Sequence, residues 1–192
     1  MDHTRAIDRL SEGVLERLVR GIRSGDRASF RDFFFLFQPD VFRFIFRLTR
    51  DRQVAEDLTQ DTFLRFWDAR DRLDATGSPA SYLFRIARNL VLDEADRRKP
   101  SLDSTGAPEE VLVRYSRDPE EEYARRLAAD EVLNALTYLP ERSRVAFVLS
   151  RYHDMNYDEI AATMQISVQT VKNQISRALT LLRKRLVDGE GG

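Results

Sequence analysis

The residues best suited to chemistry in this chain lie near its C-terminus, and the chemistry is hydrogen bonding and charge rather than bond making. Amide, hydroxyl and cationic side chains recur there at helical spacing: Gln169, Thr170, Lys172, Asn173, Ser176 and Arg177. Amide and guanidinium groups read base edges in the major groove of DNA, while lysine and arginine neutralise phosphates. No acidic residue occurs between Glu159 and Asp188, so the pattern favours DNA binding.

A short helix and a tight turn are predicted immediately before these residues. Asn156 and Glu159 have the spacing of a capping box, and Ser167 can cap the helix that follows the turn at 165–167. The long helix has a predicted inward stripe: Val171, Ile175, Leu179, Leu182 and Leu186. Together these features indicate a helix-turn-helix. The long helix by itself would also fit an ordinary amphipathic helix with a solvated basic face.

A second group of polar residues lies in the segment AEDLTQDTFLRFW. Its exposed face is predicted to carry Glu56, Asp57, Gln60 and Asp61, while Leu58, Phe63, Phe66 and Trp67 pack inward. Neighbouring carboxylates on a helix point in different directions, so this pair is not an acid–base site. An acidic face of this kind either docks a basic partner helix or is simply solvated.

A third group lies in SPASYLFRIARNLVLDEADRRKP. The inner face of its helix is predicted to carry Leu83, Ile86, Ala87 and Leu90, with Arg85, Arg88 and Asn89 on the other side. Tyr82 and the loop Thr76-Gly77-Ser78 could hold an unstacked base by stacking and loop hydrogen bonds. The basic residues at the end of the helix also have an ordinary explanation, because they complement the helix macrodipole.

The elements that position these groups are all predicted to be helical. Gly and Pro are few, and no sustained strand alternation occurs, so we expect an all-α protein of two small domains. The first spans 1–99, with an N-terminal extension over about 1–20, and the second spans 120–192. Between them, 100–119 has the composition of a flexible linker, able to bridge roughly 65 Å. Pro39 is expected to kink or break the long second helix.

Composition excludes several classes of protein. Lys plus Arg number 31 against 32 acidic residues, and cysteine is absent, so disulfides, thiolate zinc sites and a cysteine nucleophile are excluded. His3 and His153 are far apart, and His153-Asp154 is expected to be solvated surface. No phosphate loop or serine nucleophile elbow occurs, so we expect no enzyme, metal or cofactor. The aromatic run FFFLFQPDVFRFIF is interrupted by charge, so we expect no membrane insertion and a cytoplasmic protein.

Four runs, in order, resemble the extracytoplasmic-function (ECF) sigma factors of the sigma-70 family. They are AEDLTQDTFLRFW, SYLFRIARNLVLDEADRR, LPERSRVAFVLSRYHDMNYDEIAATM and ISVQTVKNQISRALTLLRKRL, and they cover most of 24–186. The resemblance implies a sigma region 2 helical bundle followed by a region 4 helix-turn-helix domain. Two departures are visible, because Tyr82 stands where the family commonly has Trp and Gln165 replaces the usual turn glycine.

The resemblance also implies partners and roles: core RNA polymerase, promoter DNA and an anti-sigma factor. The clamp helices of the largest polymerase subunit would contact Glu56, Asp57, Gln60 and Asp61. The promoter −10 element would contact Thr76, Gly77, Ser78, Ser81, Tyr82, Arg85, Arg88 and Asn89. The −35 element would contact Gln169, Thr170, Lys172, Asn173, Ser176 and Arg177. The linker acids would mimic nucleic-acid phosphates: Asp103, Glu109, Glu110 and Asp118.

One other class of DNA-binding protein fits the C-terminal pattern. A helix-turn-helix activator or repressor would bind promoters without replacing the resident sigma factor, and such regulators usually dimerise on paired half-sites. The formal net charge of −1 further predicts that the isolated chain binds DNA poorly, because few phosphates are neutralised overall.

Overall fold

The computed structural model describes residues 12–73, 78–97 and 133–188, and the regular structure within these ranges is entirely helical. The helices are α1 (Glu12–Arg23), α2 (Arg27–Thr49), α3 (Arg52–Asp68), α4 (Pro79–Arg97), α5 (Glu141–Tyr152), α6 (Tyr157–Met164) and α7 (Val168–Asp188). A 3-10 turn over Arg70–Arg72 follows α3, and 133–137 are helical before α5. The predicted linker, its four acids, and Thr76 and Gly77 lie outside the described residues.

Helix α2 continues through Pro39, so the predicted break does not occur. Proline lacks an N–H and crowds the carbonyl four residues earlier, which here belongs to Phe35. Phe35 is 67% exposed, so this residue lies on the side of the helix that faces water. On the opposite side, the fully buried rings of Phe33, Phe37 and Phe44 hold both halves of the helix against the core.

The corner between α1 and α2 is closed by capping. Asp26 accepts hydrogen bonds from the backbone N–H groups of Ala28 and Ser29, at 3.1 and 3.0 Å, and from the Ser29 hydroxyl at 2.6 Å. These bonds favour the carboxylate and lower the pKa of Asp26. Gly25 takes a φ of 80°, a conformation that side chains disfavour, and a Cβ on Gly21 would lie 2.2 Å from the Ser29 hydroxyl.

The first four helices pack around an aromatic core. Phe33 of α2 stacks on Phe66 of α3 with ring centroids 4.7 Å apart, and Phe44 meets Phe84 of α4 edge-on at 5.3 Å. Each fully buried ring contributes ~1.5–3 kcal/mol of transfer free energy, so this set dominates the stability of the bundle. Among the described residues, no helix combines the length and apolar character needed to cross a bilayer.

The last three helices pack directly on the first four. Helix α5 contacts α2, α6 contacts α4, and the buried apolar residues of both groups form one continuous cluster. The Arg47 guanidinium lies 4.3 Å from the centroid of the Tyr152 ring, and Arg144 donates a hydrogen bond to the Leu48 carbonyl at 3.3 Å. The two helical groups are therefore in direct contact.

His153 lies at the centre of this contact, so the prediction that it is solvated surface is wrong. Only 5% of the residue is exposed, and its ring sits 4.9 Å from Phe84 and 5.7 Å from Phe44. Among the described residues, neither ring nitrogen has a hydrogen-bond partner. Burial, with added repulsion from Arg47 and Arg43, lowers the pKa of His153 to about 3.

We predict that acid weakens the folded protein through His153. Below pH 6.5, the ordinary pKa of histidine, His153 binds a proton in the unfolded chain. In the folded chain it stays neutral until the pH falls to about 3. The free energy of unfolding should therefore fall by about 1.4 kcal/mol for each pH unit below 6.5 because of this group. Urea unfolding of the wild type and His153→Phe, at pH 7.5 and pH 5.5, measures the difference. Equal pH dependence in both proteins would contradict the assignment.

Candidate nucleic-acid and polymerase interfaces

The short helix α6 begins with the predicted capping box. The Asn156 side chain accepts hydrogen bonds from the backbone N–H groups of Asp158 and Glu159, both at 3.0 Å. The Glu159 carboxylate in turn accepts from the Asn156 N–H at 2.9 Å. Three backbone N–H groups at the helix start are thus satisfied by these two side chains, which fixes where α6 begins.

The turn between α6 and α7 forms without glycine. Gln165 adopts the left-handed conformation, with φ 55° and ψ 46°, and the next N–H, that of Ile166, bonds to the Ala161 carbonyl at 3.1 Å. A non-glycine residue pays about 1–2 kcal/mol for this conformation. Ser167 caps α7 as predicted, because its hydroxyl accepts from the Thr170 N–H at 3.1 Å.

The inward stripe of α7 differs in one position from the prediction. Val171 and Ala178 are fully buried, and Ile175 and Leu182 are half-buried, whereas Leu179 is 41% exposed. Spacings of four, three and four keep a helical stripe on one side, and Leu179 lies a further 100° around the helix from Ala178. The side chain of Leu186 is outside the described part of the structure.

The opposite face of α7 carries the predicted −35 residues. Gln169, Lys172, Asn173, Ser176 and Arg177 are exposed, and Thr170 is half-buried. Gln169 donates to Asn173 at 3.2 Å, while the Gln174 amide accepts from the Ser143 hydroxyl at 2.7 Å and ties α7 to α5. Within the described ranges, Lys172 and Arg177 form no ion pair, so both cations are free to meet phosphates or base edges.

The acidic face of α3 is also displayed as a surface. Asp57, Gln60 and Asp61 are exposed, and Glu56 is half-buried, accepting a hydrogen bond from Arg52 at 2.9 Å. Their neighbours Leu58, Phe63 and Phe66 are buried as predicted, with Trp67 half-buried.

Leu64 belongs to the same face, although the sequence pattern did not lead us to predict it there. It is 61% exposed and lies four residues after Gln60 and three after Asp61. Helical periodicity contained the signal, because Leu64 falls opposite the inward stripe of α3.

Helix α4 presents only part of the predicted −10 set. The half-buried Tyr82 ring lies 6.0 Å from Phe66, and the Arg85 guanidinium sits 4.7 Å from the Tyr82 centroid. Ser78 is exposed and caps the helix, accepting from the Ser81 N–H at 3.2 Å, and Asn89 is exposed. Ser81 itself is only 5% exposed.

Arg88 is drawn toward the C-terminal helices. Its guanidinium donates to the Asn89 side chain at 3.2 Å, while its Nε is buried without a partner among the described residues. Burial lowers the pKa of Arg88, and the nearby Glu141 of α5 opposes that change. The structure therefore exposes Asn89, leaves Tyr82, Arg85 and Arg88 half-buried, and buries Ser81.

Comparison with known proteins agrees with this two-part architecture. The family model "Sigma-70 region 2" matches residues 33–100, and "Sigma-70, region 4" matches residues 129–182. ECF RNA polymerase sigma factor SigL of Mycobacterium tuberculosis is 31% identical over 169 residues, covering 88% of this chain and 94% of the relative. The chain belongs to the ECF sigma factors of the sigma-70 family.

Two further proteins are similar along almost the whole chain. ECF RNA polymerase sigma factor SigW of Bacillus subtilis is 28% identical over 185 residues, covering 92% of this chain and 99% of the relative. The solved structure of CnrH in complex with the cytosolic domain of CnrY has a TM-score of 0.70 at 25% identity, covering 93% of this chain and 99% of CnrH. The all-α fold is therefore that of regions 2 and 4 of an ECF sigma factor.

This ECF sigma factor is an RNA polymerase initiation factor. It binds core RNA polymerase, recognises promoter −10 and −35 elements and promotes transcription initiation. The region 2 match covers α2 from residue 33 together with α3 and α4, and the region 4 match includes α5, α6 and α7 up to residue 182. Helix α1 precedes both matched ranges.

We predict that Gln165→Gly stabilises the region 4 domain. Glycine adopts the left-handed conformation without strain, and the gain is only partly offset by its larger entropy in the unfolded chain. The expected change is roughly +1 kcal/mol in the free energy of unfolding, measured by urea denaturation. The exposed Gln169→Gly serves as the control and should destabilise, because it places glycine inside α7. A loss of stability in Gln165→Gly would contradict the strain.

Proposed function

We propose that this sigma factor divides promoter recognition among three surfaces: the acidic face of α3 for core polymerase, α4 with the loop before it for the −10 element, and α7 for the −35 element. The observation that carries the proposal is the free polar face of α7. Five of its six predicted −35 residues are exposed, and the helix is anchored by a capped turn on one side and by α5 on the other.

The α7 face fits duplex DNA by its shape and its chemistry. A single helix fills the major groove, where Asn173 and Gln169 offer amide groups and Arg177 offers a guanidinium fork. Lys172 adds a phosphate contact. Because the whole chain is near neutral, these few contacts favour −35 binding chiefly when polymerase holds the DNA nearby.

The α4 surface fits an unstacked base. Extruding a base costs a few kcal/mol, and stacking on an aromatic or guanidinium face returns about 1–3 kcal/mol per base. Tyr82 and Arg85 already stack on one another at 4.7 Å, so a base that replaces either partner keeps a stacked arrangement. The exposed Ser78 hydroxyl and Asn89 amide add hydrogen-bonding groups beside them.

The α3 face fits a basic helical partner on the polymerase. Asp57 and Asp61 lie on the same exposed side, and charge complementarity of this kind guides association and fixes register. We assign this face to the clamp helices of the largest polymerase subunit, as the family resemblance implies.

The proposal also includes a regulatory partner, the cellular location and the type of activity. CnrH is bound to the cytosolic domain of CnrY, and by that likeness we propose an anti-sigma factor as a further partner of this chain. Because a sigma factor acts on RNA polymerase and promoter DNA, we propose that the protein is cytoplasmic and that it is an initiation factor rather than an enzyme. The match to sigma-70 region 2 argues against a separate helix-turn-helix regulator, which has no need of that domain.

In vitro transcription with purified core polymerase and a promoter library tests the function directly. The chain should programme initiation from a specific promoter class as a monomer. If core polymerase gained no promoter-specific activity in the presence of the chain, the function would be rejected.

We predict that Lys172→Ala and Arg177→Ala weaken promoter recognition. Each should lose about 1–3 kcal/mol if it contacts DNA as proposed. For Arg177 the loss should be confined to one base position, whereas for Lys172 it should be uniform across sequences and reduce the salt dependence. The measurement is transcription by the holoenzyme from single-base variants of a promoter that it uses.

Arg183→Ala provides the matched control. Arg183 is exposed on the same helix but six residues beyond Arg177, about 9 Å along the axis. It should change no base preference. Unaltered recognition in both Lys172→Ala and Arg177→Ala would remove α7 as the reading surface.

We predict that Asp57→Lys with Asp61→Lys impairs binding to core polymerase while leaving the fold intact. The double change reverses the charge of the docking face without touching a buried residue. Gel filtration of the chain with core polymerase should show loss of the holoenzyme peak. The pair Glu16→Lys with Asp71→Lys changes net charge equally at exposed sites outside α3 and should bind normally. A normal holoenzyme peak for the α3 variant would exclude this face.

A further inference from the structure

Five arginines form a positively charged corner of the first four helices, which we name the arginine corner. Two lie in the last turn of α1, one is the first residue of α2, and two belong to the 3-10 turn after α3: Arg20, Arg23, Arg27, Arg70 and Arg72. The segments that carry them, 20–27 and 70–72, contain two acidic residues, Asp26 and Asp71. Five cations against two acids give a local charge of +3, although the formal net charge of the whole chain is −1.

Packing brings the two segments of the arginine corner together. Helix α1 contacts the 3-10 turn directly, and the Phe30 ring in the first turn of α2 lies 4.8 Å from the Trp67 ring at the end of α3. The Arg70 guanidinium lies 4.9 Å from the centroid of the same Trp67 ring. The start of α2 and the 3-10 turn are therefore joined through one tryptophan.

The stability of the helices does not explain this group of cations. Arg20 and Arg23 complement the dipole at the end of α1, but Arg27 is the first residue of α2, where a cation opposes the dipole. Among the described residues, none of the five arginines pairs with a carboxylate, and all but Arg70 are exposed. Their charges are therefore available to an anionic partner.

The contacts of Arg70 indicate which anion fits. Its half-buried guanidinium stacks on Trp67 and donates a hydrogen bond to the Trp67 carbonyl at 3.1 Å. That bond uses one of five N–H donors, so a pre-ordered fork keeps donors for a phosphate. Unpaired bases stack on aromatic rings and guanidinium planes, while neighbouring cations follow the backbone. This combination is typical of single-stranded nucleic-acid sites.

The arginine corner adjoins the proposed −10 surface. Leu73 directly follows the 3-10 turn and is buried, and Ser78, which caps α4, comes five residues later. Five residues of chain span at most about 18 Å, so the 3-10 turn lies close to the start of α4. A strand that lies along α4 and leaves it at Ser78 therefore meets the arginine corner next.

We propose that the arginine corner binds the phosphates of the melted strand just downstream of the −10 element. This inference rests on the proposed assignment of α4 and the loop before it to the −10 element. In that assignment the DNA upstream of the −10 element stays duplex as far as α7, so any further single strand lies downstream. Arg20, Arg23 and Arg27 precede the range matched by the region 2 model, so this surface includes residues that the family match does not cover.

Phosphate binding at this corner stabilises the open promoter without narrowing the choice of promoter. Contacts to phosphates carry no sequence information, so they add affinity for the melted strand equally at every promoter. The chain is near neutral as a whole, and the concentration of cations at one corner gives it a local attraction for DNA that its net charge does not provide.

Removal of two charges gives the first test. Arg27→Ala with Arg72→Ala takes one exposed cation from each segment of the corner, and Arg151→Ala with Arg183→Ala removes the same charge from exposed sites of α5 and α7 as the control. The probe is fluorescent single-stranded DNA with the non-template −10 sequence of a promoter that the holoenzyme transcribes. One probe ends at the −10 element, and the other extends about ten nucleotides downstream. Fluorescence anisotropy measures their binding to holoenzyme at several salt concentrations.

The alanine variant should bind the extended probe roughly tenfold less tightly than the wild type or the control, and the short probe equally well. For the extended probe, its plot of log K against log salt should become shallower by about 1.4, or about 0.7 for each lost phosphate contact. Arg27→Lys with Arg72→Lys should restore the salt dependence, because lysine keeps the charge. An unchanged affinity and salt dependence in the alanine variant would reject the corner.

A second test maps the position of the DNA. The chain has no cysteine, so Arg23→Cys creates a single thiol, to which a thiol-reactive iron chelate is attached before assembly with core polymerase. In the promoter complex, radicals formed at the iron should cut the non-template strand downstream of the −10 element. The same chelate at Arg183→Cys should cut near the −35 element instead. If the chelate at Arg23→Cys cuts no DNA downstream of the −10 element, the inference is overturned.

The outcomes separate this inference from the proposed function. If the wild-type holoenzyme transcribes from the promoter and binds the short probe, but binds the extended probe no better than the alanine variant does, only the arginine corner is rejected. If the wild type neither programmes polymerase nor binds the short probe, the proposed function fails instead.

Discussion

The packing of α2 against its neighbours is the constraint on which the rest of the structure depends. Phe33, whose ring also contacts Phe37, anchors α2 to α3 through Phe66, and Phe44 anchors it to α4 through Phe84. The two proposed surfaces of region 2 are the outer sides of the helices that these rings hold in place. Phe44 and Phe84 also receive His153, so the same aromatic set supports the domain contact.

Polar capping helps to hold the helices of region 4 in place, as the burial of aromatic rings does in region 2. Among the described residues, α6 and α7 contribute no buried aromatic ring, and hydrogen bonds at Asn156, Glu159 and Ser167 fix where they begin. The left-handed Gln165 shows that this turn tolerates strain when capping and buried contacts around it are sufficient. The backbone of α7 is thus fixed beforehand, so that DNA binding has to order side chains but not the helix that carries them.

The contact between the two helical groups contains both apolar and polar groups. Apolar rings draw the halves together, while unpartnered polar atoms among the described residues weaken the attraction.

Several features of this protein depend only on interactions between residues close in sequence, so the sequence alone predicts them. The capping box at Asn156, the turn before Ser167 and the two-sided pattern of α3 depend on residues within one or two helical turns, so short-range spacing predicts them. Other features depend on residues distant in sequence. Whether Pro39 breaks α2, whether Leu179 is covered, and whether His153 meets water are decided by tertiary packing, which local periodicity does not contain. Burial of Ser81 beneath Thr163, 82 positions away, is the clearest case, because only the tertiary fold brings those two residues together.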